Sequence, residues 1–88
     1  MKVQFTNAFE KDVSKIKDRK IADAIVSAVE DLKKSKSLAE ISDIKKMQGA
    51  SNAFRIKVKD FRIGCYLEKD TILFSRVLNR KDIYKYFP

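Results

Sequence analysis

The chain has no histidine and only one cysteine, Cys65, among its 88 residues. A lone cysteine cannot form a disulfide within the chain, and without histidine it cannot anchor a zinc site. No apolar run approaches the length that spans a bilayer. The opening Met1-Lys2-Val3-Gln4-Phe5 lacks the apolar stretch and cleavage site of a secretory signal, which makes the cytoplasm the expected location. No linker, internal repeat or low-complexity segment divides the chain, so residues 1–88 are expected to form one small domain. So short a chain buries only a modest core, and its stability is expected to be marginal or raised by a partner.

What the chain does have is positive charge. Its apolar fraction of 44% is ordinary for a globular protein and argues against disorder. Its formal net charge is +8. Residues 1–51 carry 11 basic and 8 acidic side chains, whereas residues 52–88 carry 9 and 4. The excess therefore lies mostly in the second part. Such a balance suits a polyanion or an acidic protein as partner.

Hydrophobic spacing divides the chain into elements. Val3-Gln4-Phe5-Thr6 alternates as a short strand does. Asn7 is the expected N-cap of a first helix, with Glu10 as its reciprocal partner. Phe9, Val13 and Ile16 share one face of that helix. Asp18 is the expected cap of a second helix, in which Ile21, Ala24, Ile25, Ala28, Val29 and Leu32 recur at three- and four-residue steps. Ser35-Lys36-Ser37 breaks the pattern. Leu38, Ile41 and Ile44 are read as a short helical turn over the sheet edge, and Gly49 as turn punctuation.

Three strands follow. Phe54, Ile56 and Val58 point inward, while Arg55, Lys57 and Lys59 point outward. Asp60 turns the chain. Phe61, Ile63, Cys65 and Leu67 form the next buried set, with Arg62, Gly64, Tyr66 and Glu68 facing the other way. Lys69-Asp70 is a second tight turn. The run Ile72-Leu73-Phe74 is apolar on both faces, as in a central strand. The expected fold is α+β, in the order β-α-α-β-β-β: an antiparallel meander with an N-terminal helical hairpin on one face.

The outward faces of these strands gather Arg55, Lys57, Lys59 and Arg62. The end of the last strand adds Arg76, Asn79 and Arg80, and Tyr84 follows. Cations on one face of a rigid sheet, near a phenol, suit a phosphate-rich partner and the charge that develops when a phosphodiester is cut. Each residue also has a plainer reading. The strand cations could be solvated. Arg62 could pair with Glu68 or Asp82 in a surface ion pair worth roughly 0–1 kcal/mol. Arg80 and Tyr84 could simply fasten the C-terminal segment. Tyr66, Tyr86 and Phe87 read as packing residues, Cys65 as a small buried apolar residue, and Gly64 as a point of close approach.

Several segments, in this order and spacing, resemble the RelE/ParE superfamily of toxins from bacterial and archaeal toxin–antitoxin modules. They are Ile44-Lys45-Lys46-Met47-Gln48-Gly49, with Met47 where leucine is usual; Phe54-Arg55-Ile56-Lys57-Val58; Phe61-Arg62-Ile63; and Val77-Leu78-Asn79-Arg80-Lys81-Asp82-Ile83-Tyr84, closed by Phe87-Pro88. RelE-like members inhibit translation by cutting mRNA in the ribosomal A site; ParE-like members share the fold and inhibit DNA gyrase. Arg80 with Tyr84 at its distance, and the pair Arg55 and Lys57, favour the RelE-like branch.

The resemblance implies metal-independent attack by the adjacent 2′-hydroxyl, without a cofactor. The absence of histidine excludes a two-histidine mechanism, and no carboxylate cluster suited to two metals is evident. The implied roles are Tyr84 as base or orienting group, Arg62 and Arg80 as phosphate clamps, and Lys57 as the charge that favours phenolate or helps deliver a proton. A free phenol titrates near pH 10, so a base at that position needs such cations. Arg55, Lys59, Arg76, Lys81 and Lys85 are the expected RNA contacts. The implied partners are an acidic antitoxin, the ribosome and mRNA, with no membrane. The alternatives are a gyrase inhibitor that cuts nothing and an inactive homologue that keeps only antitoxin binding.

Overall fold

The computed structural model describes all 88 residues. Its elements are β1 (Lys2–Phe5), α1 (Asn7–Ser14), α2 (Arg19–Lys34), a 3₁₀ turn (Leu38–Glu40), β2 (Ile44–Lys46), β3 (Ala53–Val58), β4 (Phe61–Glu68), β5 (Thr71–Asn79) and α3 (Ile83–Tyr86). The strands form one sheet in the order β1-β5-β4-β3-β2. β2 to β5 make an antiparallel meander, and β1 joins it parallel to β5.

The expected α+β architecture is present, with two additions. Ile44 does not continue a helical turn; it opens β2, whose residues 44–46 pair with Ile56, Arg55 and Phe54 of β3. Three residues are too few to display an alternation, so that strand is set by its partner rather than by its own pattern. The second addition is α3.

α2 begins where expected. The Asp18 carboxylate accepts the Lys20 and Ile21 N–H groups at 2.9 and 3.4 Å, satisfying donors that the first helical turn leaves open. α1 is capped one residue earlier than its sequence suggests. Thr6, not Asn7, is the N-cap, and its hydroxyl accepts the Phe9 N–H at 3.0 Å. The same hydroxyl donates to the Ser75 carbonyl at 2.8 Å. Thr6 thus ends β1, starts α1 and holds both to β5.

The helical hairpin covers one face of the sheet. Phe9, Ile25, Val29 and Leu32 pack with Ile56, Val58, Ile63, Cys65, Ile72, Phe74 and Val77 in a single buried cluster. Phe74 stacks on Phe5 and meets Phe9 at a tilt, at ring-centroid distances of 5.4 and 5.6 Å. A smaller cluster on the other face holds Met47, Ala53, Ile83 and Phe87. The C-terminal segment therefore crosses the open face and leaves most of it uncovered. No helix is long and apolar enough to cross a membrane.

Two devices shape β4 and β5. Both hairpin loops have two residues, and their first residues, Lys59 and Lys69, take φ of 54° and 55°. Lys59 accordingly belongs to a loop with left-handed backbone rather than to the strand face. Further along, Cys65 pairs with Phe74 and Gly64 with Arg76, so Ser75 is an extra residue on β5. Such a bulge bends and re-aims the strand locally. It falls where β1 has ended, and α1 takes over the exposed edge: the Asp12 carboxylate accepts the Val77 N–H at 3.1 Å.

Candidate active site on the open sheet face

The open face is built from register. Lys45 stands opposite Arg55, Arg55 opposite Gly64, Lys57 opposite Arg62, and Arg62 opposite Leu78. Because side chains two apart on a strand share a face, Arg55 and Lys57 lie side by side, and Lys45 and Arg62 extend the row across three strands. The sheet holds the bases of these cations rigidly; Lys45 and Lys57 are exposed, and Arg55 and Arg62 half-buried.

Gly64 has a specific reason to lack a side chain. A Cβ there would lie 2.5 Å from two carbons of the Phe87 ring. The ring sits directly on the β4 backbone, 5.0 Å between centroids from Tyr66, and is 1% exposed. The close approach anticipated at Gly64 is therefore made by the chain's own C-terminal segment. Ile83, one helical turn earlier and fully buried, completes the anchor.

This anchor places Tyr84 in a cleft of about 680 Å³, shared with Lys45, Arg55, Tyr66, Phe87 and the Met47–Ala50 loop. Tyr84 is 61% exposed, so its phenol is open to a ligand. The cleft thus brings the tyrosine together with Arg55 and with Lys45, a residue sequence reasoning left out. Its signal lay in β2: once residues 44–46 are a strand, Lys45 must share the face of Arg55.

Lys59, Arg62 and Arg80 gather instead about the β3–β4 loop, outside the lining of that cleft. Arg62 donates through Nη1 to the Lys59 and Phe61 carbonyls, both at 2.9 Å. It pairs with neither Glu68 nor Asp82, and its guanidinium is oriented by the β3–β4 loop instead. The Arg80 N–H donates to the Asp60 carbonyl of that loop at 2.8 Å, leaving the Arg80 side chain exposed. Lys57 and Lys59 are exposed too. Lys81 and Lys85 lie on the turn and helix after β5. Lys85 makes an exposed 3.6 Å ion pair with Asp82, a contact of little energetic consequence.

Arg76 is placed differently. Its Nε and Nη2 donate to the two Asp12 carboxylate oxygens at 2.7 and 3.1 Å, and its guanidinium carbon lies 5.2 Å from the centre of the Tyr86 ring. The Asp12 hydrogen bond raises the Arg76 pKa further. This cation is already engaged by a buried carboxylate, unlike the open-face row. Cys65 is inert: burial pushes its thiol up to about 12, and the thiolate is the reactive form.

An antiparallel meander with one parallel edge strand, a helical hairpin on one face and a cationic cleft on the other is the toxin architecture its sequence segments resemble. The model of the ParE toxin family of type II toxin–antitoxin systems matches residues 3–84. The chain belongs to this RelE/ParE superfamily of toxins. Within it the chain is RelE-like: it is 44% identical over 89 residues to Toxin RelE3 of Methanocaldococcus jannaschii, covering 100% of both chains. The toxin–antitoxin complex RelB-RelE from Methanococcus jannaschii superposes with a TM-score of 0.80 at 41% identity, covering 97% of this chain and 99% of that one. The archaeal RelE-RelB complex from Pyrococcus horikoshii shares the fold at 14% identity, with a TM-score of 0.72 and coverage of 90% and 93%.

Proposed function

We propose that the open sheet face cuts messenger RNA on the ribosome and so arrests translation. The observation that carries this reading is the cleft itself: an exposed phenol, Tyr84, shares it with Arg55 and Lys45, and Lys57, Arg62 and Arg80 continue the cations beyond it. In the reaction, the 2′-oxygen beside the scissile bond forms a bond to phosphorus, and the bond from phosphorus to the 5′-oxygen breaks. The 2′-hydroxyl proton passes to a base, and a proton is delivered to the departing 5′-oxygen. The products are a 2′,3′-cyclic phosphate and a 5′-hydroxyl.

Tyr84 receives or orients the 2′-hydroxyl proton. Arg62 and Arg80 hold the non-bridging oxygens as negative charge builds, and their planar forks suit a phosphoryl group. Lys57, beside Arg62, steadies the same charge or supplies the proton to the leaving group. Arg55, Lys45, Lys59, Lys81 and Lys85 hold the RNA backbone. Ribosome affinity, carried by phosphate contacts, falls as salt is added.

The partner is an acidic antitoxin of the RelB type, which would mask the cations and stabilise a small domain by mass action. Primer extension on a reporter mRNA in cell-free translation tests the nuclease reading. Ribosome-dependent cuts are expected with the wild type and lost in Arg80→Ala and Tyr84→Phe. A folded wild type that makes no cuts overturns it. The match to the ParE toxin family favours one second reading, gyrase inhibition, which the resemblance to ParE-like members implies; inhibited supercoiling by purified gyrase, undisturbed in those two variants, would favour it.

A further inference from the structure

Tyr84 stands on a helix of four residues, far too short to hold itself together. Its orientation therefore depends on what α3 rests against. Ile83 and Phe87, one turn apart, form the stripe that faces the sheet. Successive helical residues are about 100° apart, so Tyr84 and Tyr86 leave α3 on opposite sides of that stripe. Tyr84 lines the cleft with Arg55. Tyr86 reaches the other way, to the Arg76 guanidinium.

Arg76 is itself fixed. Two hydrogen bonds to Asp12 set the plane of its guanidinium, and the Asp12 side chain, 4% exposed, is pinned in turn by the Val77 N–H. A chain of contacts thus runs from α1, around the β5 edge that β1 leaves free, to the outer flank of α3. Ile83 and Phe87 support α3 along one stripe; the Arg76–Tyr86 contact adds a second point of support on its flank. Tyr86 is 61% exposed, so it contributes little to the core and owes its placement to Arg76.

We infer that Asp12, Arg76 and Tyr86 form a strap that sets the roll of α3 and thereby holds the Tyr84 phenol in the cleft, which makes Arg76 and Tyr86 positioning residues of the cleavage site rather than RNA contacts. The inference rests on the proposed nuclease role of Tyr84. Small displacements of a reacting group are costly, up to about a hundredfold in rate for about 1 Å.

The test uses the full chain with Tyr86→Phe, Tyr86→Leu and Arg76→Lys. Single-turnover cleavage on programmed ribosomes is expected at the wild-type rate for Tyr86→Phe, which keeps the ring. For Tyr86→Leu and Arg76→Lys it is expected to fall about ten- to a hundredfold, with ribosome affinity unchanged and the Tyr86→Leu melting temperature unchanged. Wild-type rates in Tyr86→Leu, or a loss explained by weaker ribosome binding, overturn the strap. A second readout needs no nuclease activity: nuclear Overhauser contacts of the Tyr84 ring, in protein labelled on its tyrosines. Contacts kept in Tyr86→Phe and lost in Tyr86→Leu and Arg76→Lys support the strap. Contacts unchanged in all three overturn it, even if the wild type proves not to cut RNA.

Discussion

On the helix side of the sheet, 11 buried residues form one continuous cluster; on the open side, 4 do. The first face is closed by α1 and α2 and carries no candidate site residue. The second carries the row of cations, with Lys45 and Lys57 exposed, and buries only Met47 and Ala53 together with Ile83 and Phe87. The packed core and the exposed charge are thus assigned to opposite faces of the same strands. Along β3 the assignment alternates residue by residue, so Ile56 serves the core while Arg55 lines the cleft and Lys57 lies exposed beyond it. A rigid sheet with one well-packed face can hold cations close together on the other without folding around them.

That contrast can be broken from the helix side first. Phe74→Ala should cost about 3–5 kcal/mol, because it removes a fully buried ring packed against Phe5 and Phe9. Small domains are stable by only about 5–15 kcal/mol, so urea titration should show a large drop in midpoint, and the open face should fail with the rest. On the open side the largest effect should come from Gly64→Ala, which forces the Phe87 ring off the sheet. A loss of about 1–3 kcal/mol is expected, with α3 displaced and the helix-side core intact; a variant as stable as the wild type would contradict the packing described.

Alkaline titration sharpens the comparison from within the core. Cys65 is raised by burial from 9.0 to about 12 in the folded protein. The folded state therefore keeps a proton that the unfolded chain gives up at lower pH. The stabilisation is present in full below the unfolded pKa and is lost as pH rises from about 9 toward about 12. Comparing Cys65→Val with the wild type should isolate this component, and identical alkaline profiles would contradict it. The smallest effect on stability belongs to Lys45→Ala, within about 0.5 kcal/mol. Its RNA cleavage should nevertheless weaken about tenfold, the value of one lost charge-assisted contact. Wild-type cleavage in that variant would remove Lys45 from the cleft.

The elements that could be read in the sequence are those whose signal is local. β3 and β4 alternate clearly, β5 is apolar on both faces where it is flanked by β1 and β4, and Asp18 caps α2 within three residues. What was not legible depends on distant partners. β2 exists because Ile44–Lys46 pairs with β3, and Lys45 came into the site only with it. Thr6 outcompetes Asn7 as cap because its hydroxyl also reaches Ser75. Arg76 looked like one more cation at the end of a basic strand, yet the carboxylate that engages it lies 64 residues away. A sequence displays charges; which of them are already partnered is decided by the fold.

The most direct test of the central claim, that the open face cuts RNA through the 2′-hydroxyl, is to identify the chemical ends of the cut mRNA. Reporter mRNA cleaved on ribosomes by the wild type should carry a 2′,3′-cyclic phosphate upstream and a 5′-hydroxyl downstream, with neither product formed by a folded Tyr84→Phe variant. A 3′-hydroxyl and 5′-phosphate at the cut, or the same products at the same rate from Tyr84→Phe, would contradict it.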